Sequence, residues 1–274
     1  MTLEVLVCTI DNGINNIDRL ILTPIEGVSY LISWQHSPDF TPTDVPEPLQ
    51  RNDIKIVTLQ GRGLSRNRNN AIRHATADIC LIADDDCTYQ QSYFTYIIDT
   101  FHNDAALDLA TFRMKSSYEN KFYPDYSFNL NTFAKGYYVT SFEIAFRRTS
   151  IQHKLWFNEL FGLGAPTLQS GEENLFIHDA VTMGLNCHYF PIVIVEHDHP
   201  TTSSTRVANH GVIMAEGAYI SIVYPCTAPL RLILKTYRLN KANHLGVFTN
   251  LRLLIAGIIY YNKQKKVRNF RPSP

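Results

Sequence analysis

Three consecutive aspartates, Asp84-Asp85-Asp86, follow directly on the apolar run ICLIA at 79–83. Carboxylates crowded at the mouth of a buried strand repel one another, and a bound cation is the simplest way to keep them ionised. Ligation by oxygen alone suits Mg²⁺ or Mn²⁺. An Asp-rich turn capping the next helix is the alternative. Upstream, GRGLSRNR at 61–68 sets Arg66 and Arg68 at the start of a helical pattern. Cations there oppose the helix dipole, whereas an anion bound at the helix N-terminus turns them into partners, and a diphosphate is the natural guest. Farther on, Glu172-Glu173 opens another helical pattern, after Ser170-Gly171. A carboxylate in a first turn stays ionised and can serve as a general base, although Ser170 and Glu173 also have capping-box spacing. The segment EHDH at 196–199 ends an apolar run and offers His197 and His199 as metal ligands.

These groups need a scaffold, and the pattern supplies one. Apolar runs at 3–10 (LEVLVCTI), 29–33, 54–59 and 79–83 read as strands, the first closed by a turn at Asp11-Asn12-Gly13. Helical periodicity covers 65–75, with Ser65 as N-cap and Ala71, Ile72 and Ala75 on one face, and then 92–101. Between them, 37–48 holds four prolines and reads as an irregular loop. Alternating strands and helices predict an α/β fold, with helices on both faces of a largely parallel central sheet and ligands at the carboxyl ends of the strands. Residues 117–147 are rich in Tyr, Phe and Asn, with one strand-like run at 137–146. A Gly-rich loop spans 161–166, a helix is expected at 172–183, a strand at 192–196, and helices from 208 onward.

Composition narrows the classes. Of 274 residues, 45% are apolar and only 18% charged, which excludes a disordered chain. No apolar run is long and uncharged enough to predict a spanning helix, and the N-terminus lacks the basic region of a secretory signal. Five scattered cysteines without a C-x-x-C pair argue against a disulfide framework and for a reducing cytoplasm. The formal net charge of zero conceals a split: residues 1–216 hold 15 Lys+Arg and 25 Asp+Glu, whereas 217–274 hold 10 Lys+Arg and no acid. An acidic body makes nucleic acid a poor partner. The basic C-terminal segment has apolar helical residues, among them Leu230, Leu232, Ile233, Leu234 and Tyr237. It reads as a membrane-surface element, or alternatively as a face packed on the body or in a homodimer.

Taken in order, Thr9 on the opening strand, GLSRNRNNAIRHATADICLIADDD (63–86), FNELFGLGAPTLQSGEENLF (157–176) and PIVIVEHDHPTTSS (191–204) resemble the family 2 glycosyltransferases of the GT-A fold. The likeness is greatest to bacterial enzymes that build surface polysaccharide. It covers about residues 3–204. It implies a GT-A domain at 1–207, with a nucleotide-binding half to about 110 and an acceptor half beyond, followed by a basic helical extension at 208–274. It implies a nucleotide-sugar donor, a UDP-sugar, held by Thr9, Asp11, Gln35, Arg66, Asn70, Asp84 and Asp85. Asp84 falls where the family contacts the ribose, and Arg66 where it contacts the diphosphate. Asp86 would ligate Mn²⁺ or Mg²⁺ together with His197 or His199. Glu173 falls on the family's base position, where Glu stands for the usual Asp, and Glu172 is the alternative. The implied acceptor is a saccharide or lipid-linked saccharide. The sequence also allows three other classes, one of them a nucleotidyltransferase that makes nucleotide sugars. Asp84-x-Asp86-x-Thr88 matches the nucleophile motif of Asp-dependent phosphatases, and a non-catalytic sugar-nucleotide-binding protein would need the same donor groups.

Overall fold

The computed structural model describes residues 1–118, 121–198 and 208–267. The chain divides into two compact units. The first comprises Met1–Arg62, Arg66–Phe157 and Phe176–His199, and the second Gly63–Ser65, Asn158–Leu175 and Pro200–Pro274. The C-terminal helices share a unit with the Gly-rich loop at 161–166.

The first unit holds an eight-stranded sheet in the order β3-β2-β1-β4-β7-β5-β8-β6. Strands β1 (Leu3–Ile10), β2 (Val28–His36), β3 (Ile54–Gln60) and β4 (Ile79–Asp84) are mutually parallel. Both β1 and β4 are buried along nearly their whole length, which is why they read as continuous apolar runs rather than alternating ones. Edge strand β3 alternates between partly buried and exposed positions. Beyond β4 the sheet is mixed. Strand β7 (Ile144–Arg147) is inserted antiparallel between β4 and β5 (Leu109–Lys115), and β8 (Cys187–Glu196) runs parallel to β5. Two-residue β6 (Phe128–Asn129) closes the edge.

Helix α1 (Leu64–His74) follows β3 and α2 (Gln91–Asn103) follows β4. Short α3 (Arg148–Ile151) follows β7, and α4 (Glu172–Thr182) precedes β8. Three expectations change. The turn at Asp11 opens a 3₁₀ segment, Asp11–Arg19, because Ile14 and Ile17 pack into the core. Of the run 137–146 only its end is a strand, since Ser141–Glu143 is a 3₁₀ turn closed by a capping box between Thr140 and Glu143. Ser65 lies inside α1 rather than capping it, and its hydroxyl donates to the Phe161 carbonyl at 2.6 Å.

In the second unit, α5 (His210–Val223), α6 (Ala228–Asn243) and α7 (Val247–Val267) pack together. Helices α5 and α7 cross at two glycines. A Cβ on Gly217 would stand 2.0 Å from the Leu254 carbonyl oxygen, and one on Gly257 1.8 Å from that of Met214. Only glycine permits this approach. Leu160, Phe161, Leu168 and Leu175 of the 158–175 segment form a common apolar cluster with Ala215 and Ala218 of α5.

Candidate active site

Parallel register brings the expected donor residues to one edge. Cys8 stands opposite Asp84 on one side and Ser33 on the other, and Ile10 stands opposite Gln35. The carboxyl ends of β2, β1 and β4 therefore carry Gln35, Thr9 with Asp11, and the aspartates side by side, as open α/β sheets place their ligands.

Each of the three aspartates has its own environment. Asp84 accepts from Arg68 Nη2 at 3.1 Å and from Ser141 Oγ at 3.0 Å. Arg68 Nη2 also donates to Ser141 Oγ at 2.7 Å, and the arginine side chain is only 1% exposed. Asp85 accepts from Thr9 Oγ1 at 2.6 Å. Burial raises its pKa above the ordinary aspartate value, with Asp84 and Asp86 adding to the rise and the Thr9 hydrogen bond opposing it. Gly13 makes room for this pair, since a Cβ there would stand 2.3 Å from Thr9 Oγ1 and 2.6 Å from Asp85 Oδ2. Asp86 turns the other way, and its Oδ2 is 3.2 Å from His197 Nε2.

Two local devices bring His197 there. Thr88 and Glu196 exchange backbone hydrogen bonds at 2.9 Å in both directions, which ties the chain after the aspartates to the end of β8. The buried His197 ring also stacks on Phe142, with centroids 4.8 Å apart and planes within 16°. Phe142 belongs to the same 3₁₀ turn that aims Ser141 at Asp84. That turn is held by buried Glu143, which accepts from the Thr140 amide at 2.8 Å, from Lys121 Nζ at 2.5 Å and from the Tyr123 hydroxyl.

The other expected donor residues sort by exposure. Arg66 is exposed, and its guanidinium lies over Gly61, where a Cβ would meet Nη1 at 2.6 Å. Asp11, in the left-handed region at φ 50°, accepts from the Ser37 amide and hydroxyl at 2.7 Å each, and Trp34 Nε1 donates to its carbonyl at 2.8 Å. Gln35 is buried on β2. Asn70 is buried too, and its amide donates to Ser33 Oγ at 2.9 Å. Its neighbour Asn67 bridges Ser33 Oγ at 2.6 Å and the Thr9 carbonyl at 2.9 Å. The two asparagines thus strap α1 to the ends of β1 and β2. Asn67, Ser141, Phe142 and Gly13 were not anticipated from sequence, and Arg68, expected beside Arg66 on a diphosphate, instead pairs with Asp84 and Ser141. Arg68 carried a signal: with Ala71, Ile72 and Ala75 it has i, i+3, i+4, i+7 spacing, the buried phase of α1.

In the second unit Glu172 and Glu173 form the first turn of α4. Glu172 is buried, and its carboxyl group lies against Gly162 (φ 104°). A Cβ on that glycine would stand 2.9 Å from Glu172 Cδ and 2.9 Å from Ser65 Oγ. Glu173 is partly exposed. His199, the alternative metal ligand, lies outside the described residues.

Asp86 Oδ2 and His197 Nε2, which meet as an ion pair, have a separation that two ligands of one divalent cation would also show. Two adjacent ligands at about 2.1 Å from one ion stand roughly 3.0 Å apart, and these two atoms are 3.2 Å apart. Among the described residues no group of three or more His, Cys, Asp or Glu is arranged to hold a metal.

The sequence model of glycosyl transferase family 2 matches residues 31–164. No curated protein matches the chain. Among solved structures, S. aureus TarS 1-349 in complex with UDP superposes with a TM-score of 0.56 at 14% identity, over 96% of this chain and 92% of that one. The complex with UDP-GlcNAc gives 0.53 at 13%, over the same shares. The chain spans 66% of TarS 1-349 and 40% of a longer TarS chain in two further structures, both with a TM-score of 0.55 at 15% identity. At such identities these likenesses concern the fold. The matched segment runs from β2 through α1, the aspartates and the Ser141 turn, so over that stretch the chain is similar to glycosyl transferase family 2.

Proposed function

We propose that the enzyme transfers a sugar from a UDP-sugar to a hydroxyl of a saccharide or lipid-linked saccharide in surface-polysaccharide synthesis, with inversion at the anomeric carbon and with Mn²⁺ or Mg²⁺. One observation carries the reading: at the end of β4 the three aspartates are separately tethered, and only Asp86 meets an imidazole at metal-ligand spacing. The TarS complexes support the donor class, since UDP and UDP-GlcNAc are what those structures hold.

Each group then has a role that its surroundings suit. Asp84, fixed by Arg68 and Ser141, accepts hydrogen bonds from the ribose hydroxyls. Exposed Arg66 donates to a phosphate oxygen and stabilises the charge that grows there as the glycosidic bond breaks. Asp86 and His197 hold the cation, which when bound neutralises the departing diphosphate. Glu173 accepts the proton of the attacking hydroxyl. It is preferred to Glu172, whose carboxyl group is packed against Gly162. Attack on the face opposite the leaving diphosphate inverts the configuration.

Calorimetric titration with UDP-GlcNAc, in Mn²⁺ and in EDTA, tests the scheme. Mn²⁺ should strengthen binding by about tenfold or more, and Asp86→Ala should abolish the difference. Equal affinity of the wild type in both conditions refutes the metal. The anomeric configuration of the product, read by NMR, tests inversion.

A further inference from the structure

Helix α6 is apolar on two opposite sides. Ala228, Leu232, Thr236 and Leu239 are buried. On the far side, Leu230, Ile233, Leu234 and Tyr237 stand at i, i+3, i+4 and i+7 and are all at least half exposed, from 50% at Leu234 to 62% at Leu230. The next helix repeats the arrangement: Phe248 (88% exposed), Ile255 and Ile259 share one face of α7 with exposed Arg252. Water-facing stripes of this size mark an interaction surface.

The charge around them selects the partner. Arg231, Arg238 and Lys241 are exposed on α6 beside the stripe, and from Gly217 to the end of the chain there is no acidic residue. Arg231 is held in place by donating to Thr227 Oγ1 at 3.0 Å and by stacking 3.7 Å above the Tyr224 ring. Lys235, by contrast, pairs with Glu216 at 2.6 Å. A second copy docking through the same patch would set these cations against their own images, which is unfavourable in a two-fold contact. No helix among the described residues is long and apolar enough to cross a membrane. We infer that the outer faces of α6 and α7 seat the protein on an anionic lipid surface, with Leu230, Ile233, Leu234, Tyr237 and Phe248 entering the headgroup boundary and the arginines and lysines meeting lipid phosphates.

Flotation of the full chain with phosphatidylcholine vesicles, with and without phosphatidylglycerol, tests this. The wild type should float with the anionic vesicles and much less with the neutral ones. Leu234→Ser with Tyr237→Ser, and separately Arg238→Gln with Lys241→Gln, should each lower partitioning by about tenfold. Both pairs are exposed, so thermal midpoints and lipid-free hydrolysis of UDP-sugar should match the wild type, which keeps this test distinct from that of the catalytic scheme. Failure of the wild type to float, or partitioning of either variant equal to the wild type, overturns the inference. So does a dimer by light scattering that the Leu234→Ser, Tyr237→Ser protein loses, because a second copy would then be the occupant.

Discussion

Two arginines two residues apart on α1 should fail in opposite ways. Arg68 is 1% exposed and donates to both Asp84 and Ser141. Replacing it with methionine keeps the volume and removes the counter-charge of a carboxylate that is itself only 24% exposed. Breaking a buried pair from one side costs about 3–5 kcal/mol. The remaining Ser141 bond and the partial exposure of Asp84 place this case near the low end, about 3 kcal/mol. For a chain of this size that corresponds to a fall in Tm of about 6–12 °C. Asp84→Asn removes the charge that Arg68 answers, so the double variant should be more stable than the two single losses added together, by about 1–2 kcal/mol. Arg66→Ala should leave Tm within about 2 °C, as an exposed side chain does. It should instead weaken UDP-sugar binding by roughly tenfold or more, the scale of a charge-assisted hydrogen bond. Thermal unfolding and donor titration on the wild type and the four variants read all of this. An Arg68→Met midpoint within 2 °C of wild type, or an Arg66→Ala midpoint as low as that of Arg68→Met, refutes the assignment of counter-ion and donor contact.

Two further outcomes follow from local geometry. Burial raises the folded-state pKa of Asp85 above the ordinary 3.8, so the group favours the fold below that pH and penalises it once pH rises through the folded value. Asp85→Asn keeps an acceptor for Thr9 Oγ1 and should raise Tm at pH 7, with the advantage gone by about pH 4; an unchanged or lower midpoint at pH 7 contradicts the burial argument. In the second unit, Gly217→Ala forces a methyl against the Leu254 carbonyl. Overpacking of this kind costs about 1–3 kcal/mol, so Tm should fall by roughly 2–12 °C, and a shift under 1 °C would mean that α5 and α7 part freely.

What the sequence could and could not convey follows from how far each signal reaches along the chain. Strands β1, β3 and β4 lie within a residue of their expected bounds: β1 and β4, buried along nearly their whole length, declare themselves as unbroken apolar runs, and edge strand β3 by its alternation. Strand β5 was missed: its run LATFRMK carries two cations, and its place depends on β7 entering antiparallel beside it. The aspartates were legible because strand and acids are adjacent. Arg68 was counted with Arg66 as part of one basic turn, although two residues along a helix turn the side chain through about 200°. The meeting of His197 with Asp86 depends on the Thr88–Glu196 exchange, across more than a hundred residues, and no local pattern encodes it. Likewise the C-terminal apolar residues were visible in the sequence, but Leu232 faces inward while Leu230, Ile233, Leu234 and Tyr237 face water. Only the packed partners of α6 make that division.

The same distances explain why three adjacent carboxylates are tolerated at one strand end. Left alone, they would repel one another and take up protons. Here each is answered by a different element: Asp84 by Arg68 of α1 and Ser141 of the turn before β7, Asp85 by Thr9 of β1, and Asp86 by His197 at the end of β8. These partners come from distant parts of the chain, so the aspartate cluster is stable only when the central sheet is assembled. The partner types also divide the labour. A guanidinium and a hydroxyl hold Asp84 in place. The Thr9 hydroxyl leaves half-buried Asp85 with a raised pKa. An imidazole meets Asp86, whose side chain is 43% exposed, in keeping with the cation-holding role proposed for it.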